Sequence, residues 1–445
     1  MADTQMQKSN PVEQISTQEL TLHKDPSKLL EKQGGFAAVK GFIPAISDMN
    51  PQRPAQKDMF LSEDDYREQR TKLIQELEGW MNMLSEDKSS LIEYETYCED
   101  RIKEDTEQLK KNVTKALKAT APLETSYRTL DTYFRNTGCE KLDFLQLLNA
   151  TPDDFKDSIL LDETVNGILK EGYDQLSLAK NVSMLIVPGH KLKNFDQRNK
   201  WATKAYEYQV MLITDAKRED TFDQLYANTE DYKRTDVQFQ NMIVTGNWIK
   251  GRDSEMLSEN EKWEKAFFIP SSAALAGKLC DDRVTIAQAA SGEQFGTLLG
   301  VEGVEVALYK TEIEKLRDNN IVPIVCSEGR VMAYYNSNLY SGPDKNMREY
   351  SIVRVHDYLE KVLKHSVHKH MGPNWDPNNS PYILQREIQT YLDSHKGFGK
   401  MYEDCTVREP KLEEDGFISV FVDIKPFQAA NSFRIQVQDN TNNKE

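Results

Sequence analysis

The chain has 445 residues, 38% of them hydrophobic, which is enough to bury a sizeable core and excludes a small disulfide- or metal-stapled scaffold. With 56 Lys+Arg against 72 Asp+Glu, the formal net charge is −16 and the pI about 5.1, so attraction of the whole surface to nucleic acid or anionic lipid is excluded. The five cysteines, at 98, 139, 280, 326 and 405, form no CxxC pair, which fits reduced thiols in the cytoplasm rather than a disulfide framework or a zinc knuckle.

The first twenty residues lack a basic stretch followed by an apolar one, and no run approaches eighteen apolar residues, so neither secretion nor membrane insertion is expected. Residues 1 to about 33 are polar and without period, as in an arm that orders on a partner. Gly34-Gly35 then introduces FAAVKGFIPAI, an apolar docking segment closed by Pro51 and Pro54. From Ser62, capping-box spacing precedes Leu73, Leu77, Trp80, Met81 and Leu84 at helical intervals. A second helix is expected over 88–120, with Leu91, Cys98, Ile102, Leu109, Val113 and Leu117 in one stripe, which makes a helical hairpin. A third helix, LETSYRTLDTYFRN, is expected to end at Gly138 as its C′ residue.

Beyond that point, short apolar runs alternate with helical stretches, which defines an α/β body. Strands are expected at 142–149, 182–188, 209–214, 240–249, 321–326 and 331–336, several of them continuous enough to be buried on both faces. Helices are expected near 152–178, 195–205, 258–268, 285–291, 305–318, 349–368 and 380–395. The last thirty residues hold two more strands, FISVFVDI (417–424) and FRIQVQ (433–438). In the second, Phe433, Ile435 and Val437 alternate with polar residues, as in a half-buried strand. Two terminal strands are marginal alone in water, and another subunit is a reasonable source of pairing. The resulting division is 1–60 arm and docking segment, 61–137 helical region, 138–410 α/β body, and 411–445 strand arm and polar tail.

No phosphate-binding loop, dinucleotide fingerprint, nucleophile elbow or zinc-protease helix is present, and no catalytic residue, cofactor or metal ligand is assigned. The glycines of SGEQFGTLLGVEG follow no strand and precede no Lys-Ser/Thr pair, so they read as a loop around packed helices. His356, His365, His368 and His370 fall within fifteen residues, and His365 and His368 share a helical face that could ligate zinc. Their surroundings are basic and lack a carboxylate, so the field opposes a divalent cation. A soluble metal-dependent enzyme using His365 and His368 is the reading furthest from the rest.

Four segments, in order, resemble contractile tail sheath proteins: FIPSSAALAGKLCDD (268–282), LYKTEIEKLRDNNIVPIVCSEGRVMAYYNSNLY (308–340), REYSIVRVHDYLEKVL (348–363) with its Arg-x-x-x-Tyr pattern, and NWDPNNSPYILQREIQTYLDSHKGFGKM (374–401). With YRTLDTYFRNTG (127–138), TGNWIKGRD (245–253) and the terminal FVDIKPFQAANSFRIQVQ, the chain resembles the large subunit of the type VI secretion sheath, TssC, in the version found in Bacteroidetes. That resemblance implies a structural machine: a small sheath subunit, TssB, as obligatory partner, helical polymerisation with other copies of itself around an Hcp inner tube, assembly on a membrane-anchored baseplate, and recycling by an ATPase acting through the small subunit. A phage-tail or extracellular injection sheath is the alternative, and it requires no small partner. The resemblance further implies that the terminal strands link subunits, through Phe417, Ile418, Val420, Phe421, Val422, Ile424, Phe433, Ile435 and Val437. It also implies that the 61–120 region helps hold the small subunit, and that Arg386, Glu387, Asp393 and Lys396 face the inner tube. Ending the chain at Glu414 is then expected to spare heterodimer formation and stop sheath assembly.

Overall fold

Burial of the apolar runs organises the architecture seen in a computed structural model, which describes residues 60–85, 91–138, 140, 142–174, 181–252, 256–258, 261–262, 267–367, 375–414 and 416–428. The second terminal strand, with Phe433, Ile435 and Val437, lies outside these residues, as do His368, His370 and the 36–46 docking segment. The chain divides into two compact units, Met1–Ala116 and Leu117–Glu445.

The first unit contains α1 (Arg67–Ser85) and the opening turns of α2 (Leu91–Asn136). The expected second and third helices are one continuous helix, which carries Pro122 in its interior. A proline there removes one backbone donor and normally ends a helix. On the following turn, Thr125 and Ser126 donate their hydroxyls to the carbonyls of Ala121 and Pro122. Gly138 is not in the left-handed region. Its role is close approach, because a Cβ there would stand 2.0 Å from Asp282 Oδ2.

In the second unit, three parallel strands, β1 (Met184–Val187), β2 (Met211–Asp215) and β3 (Met242–Thr245), lie side by side in that order. Successive residues of a strand point to opposite faces. Accordingly Met211, Ile213 and Ile243 join one hydrophobic cluster, and Leu212, Met242 and Val244 join another. The second cluster is completed by α3 (Ile159–Asp174) and by α4 (Phe195–Glu207), whose Trp201 is almost wholly buried. Both sheet faces are thus covered, as the continuous apolar runs require. Val322 extends the sheet by donating to Val244 O and accepting from Gly246 N.

The expected 240–249 strand is split: β4 (Ile249–Arg252) leaves β3 and pairs antiparallel with β5 (Phe267–Ile269). None of the described residues of the expected 258–268 helix is helical; they hold short strands at Met256–Ser258 and Glu261–Lys262, then β5. Pairing of Phe268 and Ile269 against Lys250 and Ile249 outweighs the helical spacing of its Glu and Lys residues. The expected strand at 142–149 is extended but has no ladder partner among the described residues, and Phe144, Leu145, Leu147 and Leu148 are exposed. No helix forms over 285–291, where Gln288 Oε1 accepts from Thr285 N to close a turn.

The remaining elements are α5 (Phe222–Thr229), α6 (Ser272–Leu279), α7 (Lys310–Asp318), a hairpin of β6 (Ile324–Ser327) and β7 (Arg330–Ala333), α8 (Tyr350–Val367) and α9 (Ser380–Ser394). The glycine-bearing loop before α7 joins this hairpin: Leu298 N donates to Val331 O, and Ala333 N donates to Gly296 O. A third cluster holds Val355 and Leu359 of α8, Leu384, Ile388 and Leu392 of α9, and Tyr402, Cys405 and Val407 of β8 (Tyr402–Val407).

Candidate assembly surfaces

The motif residues converge on α6, every residue of which is buried. Its N-terminus is capped from outside the helix. Asp215, at the end of β2, accepts from Ser271 N and Ser272 N at 2.8 Å each and from Thr245 Oγ1 at 2.7 Å through Oδ1. Its Oδ2 accepts from Gly189 N at 2.7 Å and Ser272 Oγ at 2.5 Å. Burial pushes this carboxyl above the ordinary carboxylate value, and the hydrogen bonds from Ser272, Thr245 and Gly189 oppose that rise. The three backbone donors have no acceptor capacity, so the geometry is that of a buried carboxylate at the positive end of a helix.

At the other end of α6, Arg354 Nη2 donates to Leu279 O at 3.2 Å, where a cation complements the negative end. Burial lowers the pKa of this guanidinium from its ordinary value, against the neighbouring Cys280 and Tyr350. Between the two ends, Gly277 has its Cα against α2: a Cβ there would come within 2.3 Å of Tyr133 O. The Pro-Ser-Ser…Ala-Gly segment and the Arg-x-x-x-Tyr helix are therefore one packed device. TGNWIKGRD is equally structural. Asn247 donates to Val306 O and Ile324 O, Trp248 Nε1 donates to Ala216 O, and Gly246 sits on Ile321. Asn136 closes the device by exchanging both hydrogen bonds with the backbone of Leu299.

The first predicted terminal strand is divided between two pairings within the chain. Short β9 (Lys411–Leu412) pairs with β10 (Ile418–Ser419), and β11 (Val422–Pro426) pairs antiparallel with β8, Cys405 opposite Ile424 and Val407 opposite Val422. Phe417 and Phe421 are exposed, while Ile418, Val420, Val422 and Ile424 pack on the third cluster. The two-stranded β8–β11 sheet has unlike edges. On the β8 side, Val407 N donates to Gln389 Oε1 at 3.0 Å, and Gln385 Nε2 donates to Val407 O at 2.7 Å. Two glutamines of α9 thus occupy that edge. On the β11 side no strand pairs among the described residues. Sequence reasoning missed this asymmetry; its only trace is the i, i+4 spacing of Gln385 and Gln389.

The four predicted inner-tube residues are not alike. Leu384, Ile388 and Leu392 turn one face of α9 inward, and Arg386 and Glu387 lie exposed beside a shallow cavity of about 520 Å³ shared with Tyr382, Ile383 and Tyr391. Asp393 accepts from Gln389 Nε2 at 2.9 Å, and Lys396 pairs with Asp404 at 2.5 Å, so this second pair is engaged within the chain.

On α1, Leu73, Leu77 and Met81 are 45%, 53% and 57% exposed, and on α2 Ile102 and Leu109 are also exposed. Of the expected stripe these five thus face solvent, whereas Cys98, Val113 and Leu117 are half-buried and the side chains of Trp80, Leu84 and Leu91 lie outside the described set. Of the histidines, His356 is largely buried, which lowers its pKa, and His365 lies in the last turn of α8. Among the described residues no group of three His, Cys, Asp or Glu side chains is placed to hold a metal ion, and no helix is long and apolar enough to cross a membrane.

An α/β body with a motif set devoted to internal packing, an open strand edge and uncovered apolar stripes defines a class, that of assembling structural subunits. Models of the TssC/VipB family match almost throughout: the type VI secretion system TssC/VipB central domain at residues 115–341, the TssC/VipB-like N-terminal region at 23–113 and the C-terminal domain at 349–445. The chain belongs to the TssC/VipB family, and it is a contractile sheath subunit of the type VI secretion kind. No curated protein matches it. Similar solved structures include an extracellular contractile injection system PVC sheath in the contracted state (14% identity over 72% of this chain and 82% of that one, TM-score 0.49) and the anti-feeding prophage helical sheath in the contracted state (15%, 71% and 82%, 0.49). A sheath tail protein from Listeria innocua is also similar (12%, 64% and 59%, 0.42).

Proposed function

We propose that this chain is the large subunit of a cytoplasmic sheath that pairs with a small TssB-type subunit, polymerises around an Hcp-type inner tube on a baseplate, and drives that tube outward by contracting. The observation that carries this reading is the set of solvent-facing apolar residues on α1 and α2, Leu73, Leu77, Met81, Ile102 and Leu109. Contiguous apolar surface on a soluble protein marks an interaction site, and an amphipathic helical partner is the fitting occupant. The β11 edge supplies the second element. A strand from a neighbouring subunit can add there by backbone hydrogen bonds, which would keep subunits tethered while the bodies rotate during contraction.

In this assignment Val422 and Ile424 lie on the acceptor edge, Phe417, Ile418, Val420 and Phe421 lead into it, and Phe433, Ile435 and Val437 supply the donated strand. Arg386 and Glu387 belong to the surface facing the inner tube, with Asp393 and Lys396 bracing its rim. No residue is assigned to catalysis or to a cofactor. The energy of contraction would reside in the extended lattice, and a separate ATPase acting through the small subunit would recycle it.

Co-expression with the neighbouring small open reading frame, followed by negative-stain electron microscopy, tests the proposal. Hollow striated tubes containing both chains are expected. Tubes formed by this chain alone would refute the obligatory partner and favour a phage-tail or extracellular injection sheath.

A further inference from the structure

A second cavity, of about 540 Å³, is lined by Phe295, Tyr334, Tyr335, Asn336, Phe398 and Phe427 among others. Phe398 is fully exposed, yet it is held between Gly397 (φ 115°) and Gly399 (φ 75°), both in the left-handed region. A solvated phenylalanine forgoes the stabilisation that burial of its ring provides. Tyr335 is also in the left-handed region (φ 67°), a strained state for a bulky residue, with its ring beneath the Arg317 guanidinium at 5.1 Å. The cavity is thus an aromatic enclosure with one wall uncovered.

The course of the chain supplies an occupant. Phe427 and Gln428 line the cavity, and Gln428 Nε2 donates to Asn346 Oδ1 at 3.4 Å, so the terminal segment departs from the cavity itself. The next aromatic residue, Phe433, follows after Ala429, Ala430, Asn431 and Ser432, all small and uncharged. Five residues of extended chain reach about 17 Å. A cavity of this size accepts one aromatic side chain with its flanking backbone.

We propose that, in the unassembled subunit, this cavity is the intramolecular seat of residues 429–433, with Phe433 as the anchor among Phe398, Tyr334 and Tyr335. The arm is held on its own body until strand pairing with a neighbour draws it away. This last step rests on the linkage reading given above, whereas the seat itself does not. Seating in cis also keeps an apolar strand from pairing indiscriminately before assembly.

The test uses the full-length chain, unassembled and dilute, with the exposed Cys326 replaced by Ser. A Lys400→Cys and Ser432→Cys pair is oxidised, and the intrachain disulfide is quantified by mass spectrometry against a Lys400→Cys and Asn442→Cys control. Ser432 lies four residues beyond Gln428 and Asn442 fourteen, so tether length alone favours the Ser432 pair about sixfold. Seating is expected to raise that ratio to at least about sixtyfold, independently of protein concentration. Adding Phe433→Ala should return the ratio to the tether value, and Phe433→Tyr should preserve it. The exposed replacement Phe398→Ser, which leaves the buried body untouched, should act like Phe433→Ala. A ratio no larger than the tether value, or bonds only between chains, would overturn the proposal; the second result would identify another copy as the occupant. If the chain ending at Gln428 still forms tubes while the fast closure persists in the full chain, the linkage reading fails and the seat stands.

Discussion

Asp215 anchors the residue scale, since one carboxylate satisfies donors from three separate segments. Asp215→Ala would strand Gly189, Ser271 and Ser272 N–H groups in the core, and a loss of about 3–5 kcal/mol in denaturant unfolding is expected. Asp357 gives a pH dependence. Burial pushes its carboxyl up to about 7, against Lys361, four residues along α8, and the hydrogen bond from Asn241. A folded pKa above the unfolded value means that the contribution is fully favourable at acid pH and is lost as pH rises through about 7. Thermal melts should therefore show a fall between about pH 4 and 7 that Asp357→Asn flattens. Lys361, pushed down to about 8 chiefly by the same burial, works in the opposite sense above that pH. Asp215, Asp357 and Lys361 did not stand out in the sequence, whereas Arg354 was carried by the Arg-x-x-x-Tyr pattern. Asp215 is an acidic residue after an apolar run, and it acquires meaning only when β2 and α6 come together.

Elements were legible where side-chain periodicity and burial agree. The runs around Met211–Asp215 and Met242–Thr245 are continuous because both sheet faces are covered, and they were read as strands. Residues 258–268 were misread because their Glu and Lys spacing suits a helix, whereas Phe267–Ile269 is held by cross-strand partners fifteen to twenty residues away. Residues 142–149 carry a strand composition without a ladder, so composition alone suggested more structure than the chain forms by itself. The expected division into a helix ending at 120 and a third helix beginning at Leu123 falls inside one continuous helix. The C-terminal elements also alter the design of a truncation. Ending the chain at Glu414 would remove Ile418, Val420, Val422 and Ile424 from the third cluster and damage the fold. Ending it after Gln428 keeps β11, and that variant should melt within about 1 kcal/mol of the full chain while failing to form tubes, as read by microscopy.

For the whole molecule, the uncovered stripe on α1 and α2 sets what the isolated chain can do. Leu73→Glu with Leu77→Glu alters exposed positions, so thermal stability should change by no more than about 0.5 kcal/mol. Co-purification of the small subunit should nevertheless be lost; retention of that partner would move its docking surface elsewhere. The net charge of −16 keeps such a chain dispersed, but it does not cover the apolar stripes. The family was legible because its motifs build a packing device around α6, and packing constraints leave residue patterns in order along the chain. Partner surfaces left a weaker trace, since an exposed stripe and a buried one have the same period.

On the linkage proposed above, the unlike edges of the β8–β11 sheet would give the assembly a direction. With Gln385 and Gln389 bonded to Val407 on one edge, a strand would join from the β11 side, and the linkage would be polar. In polymer terms such a site would have a valence of one and could not branch, so a short free strand that captures it would act as a chain terminator.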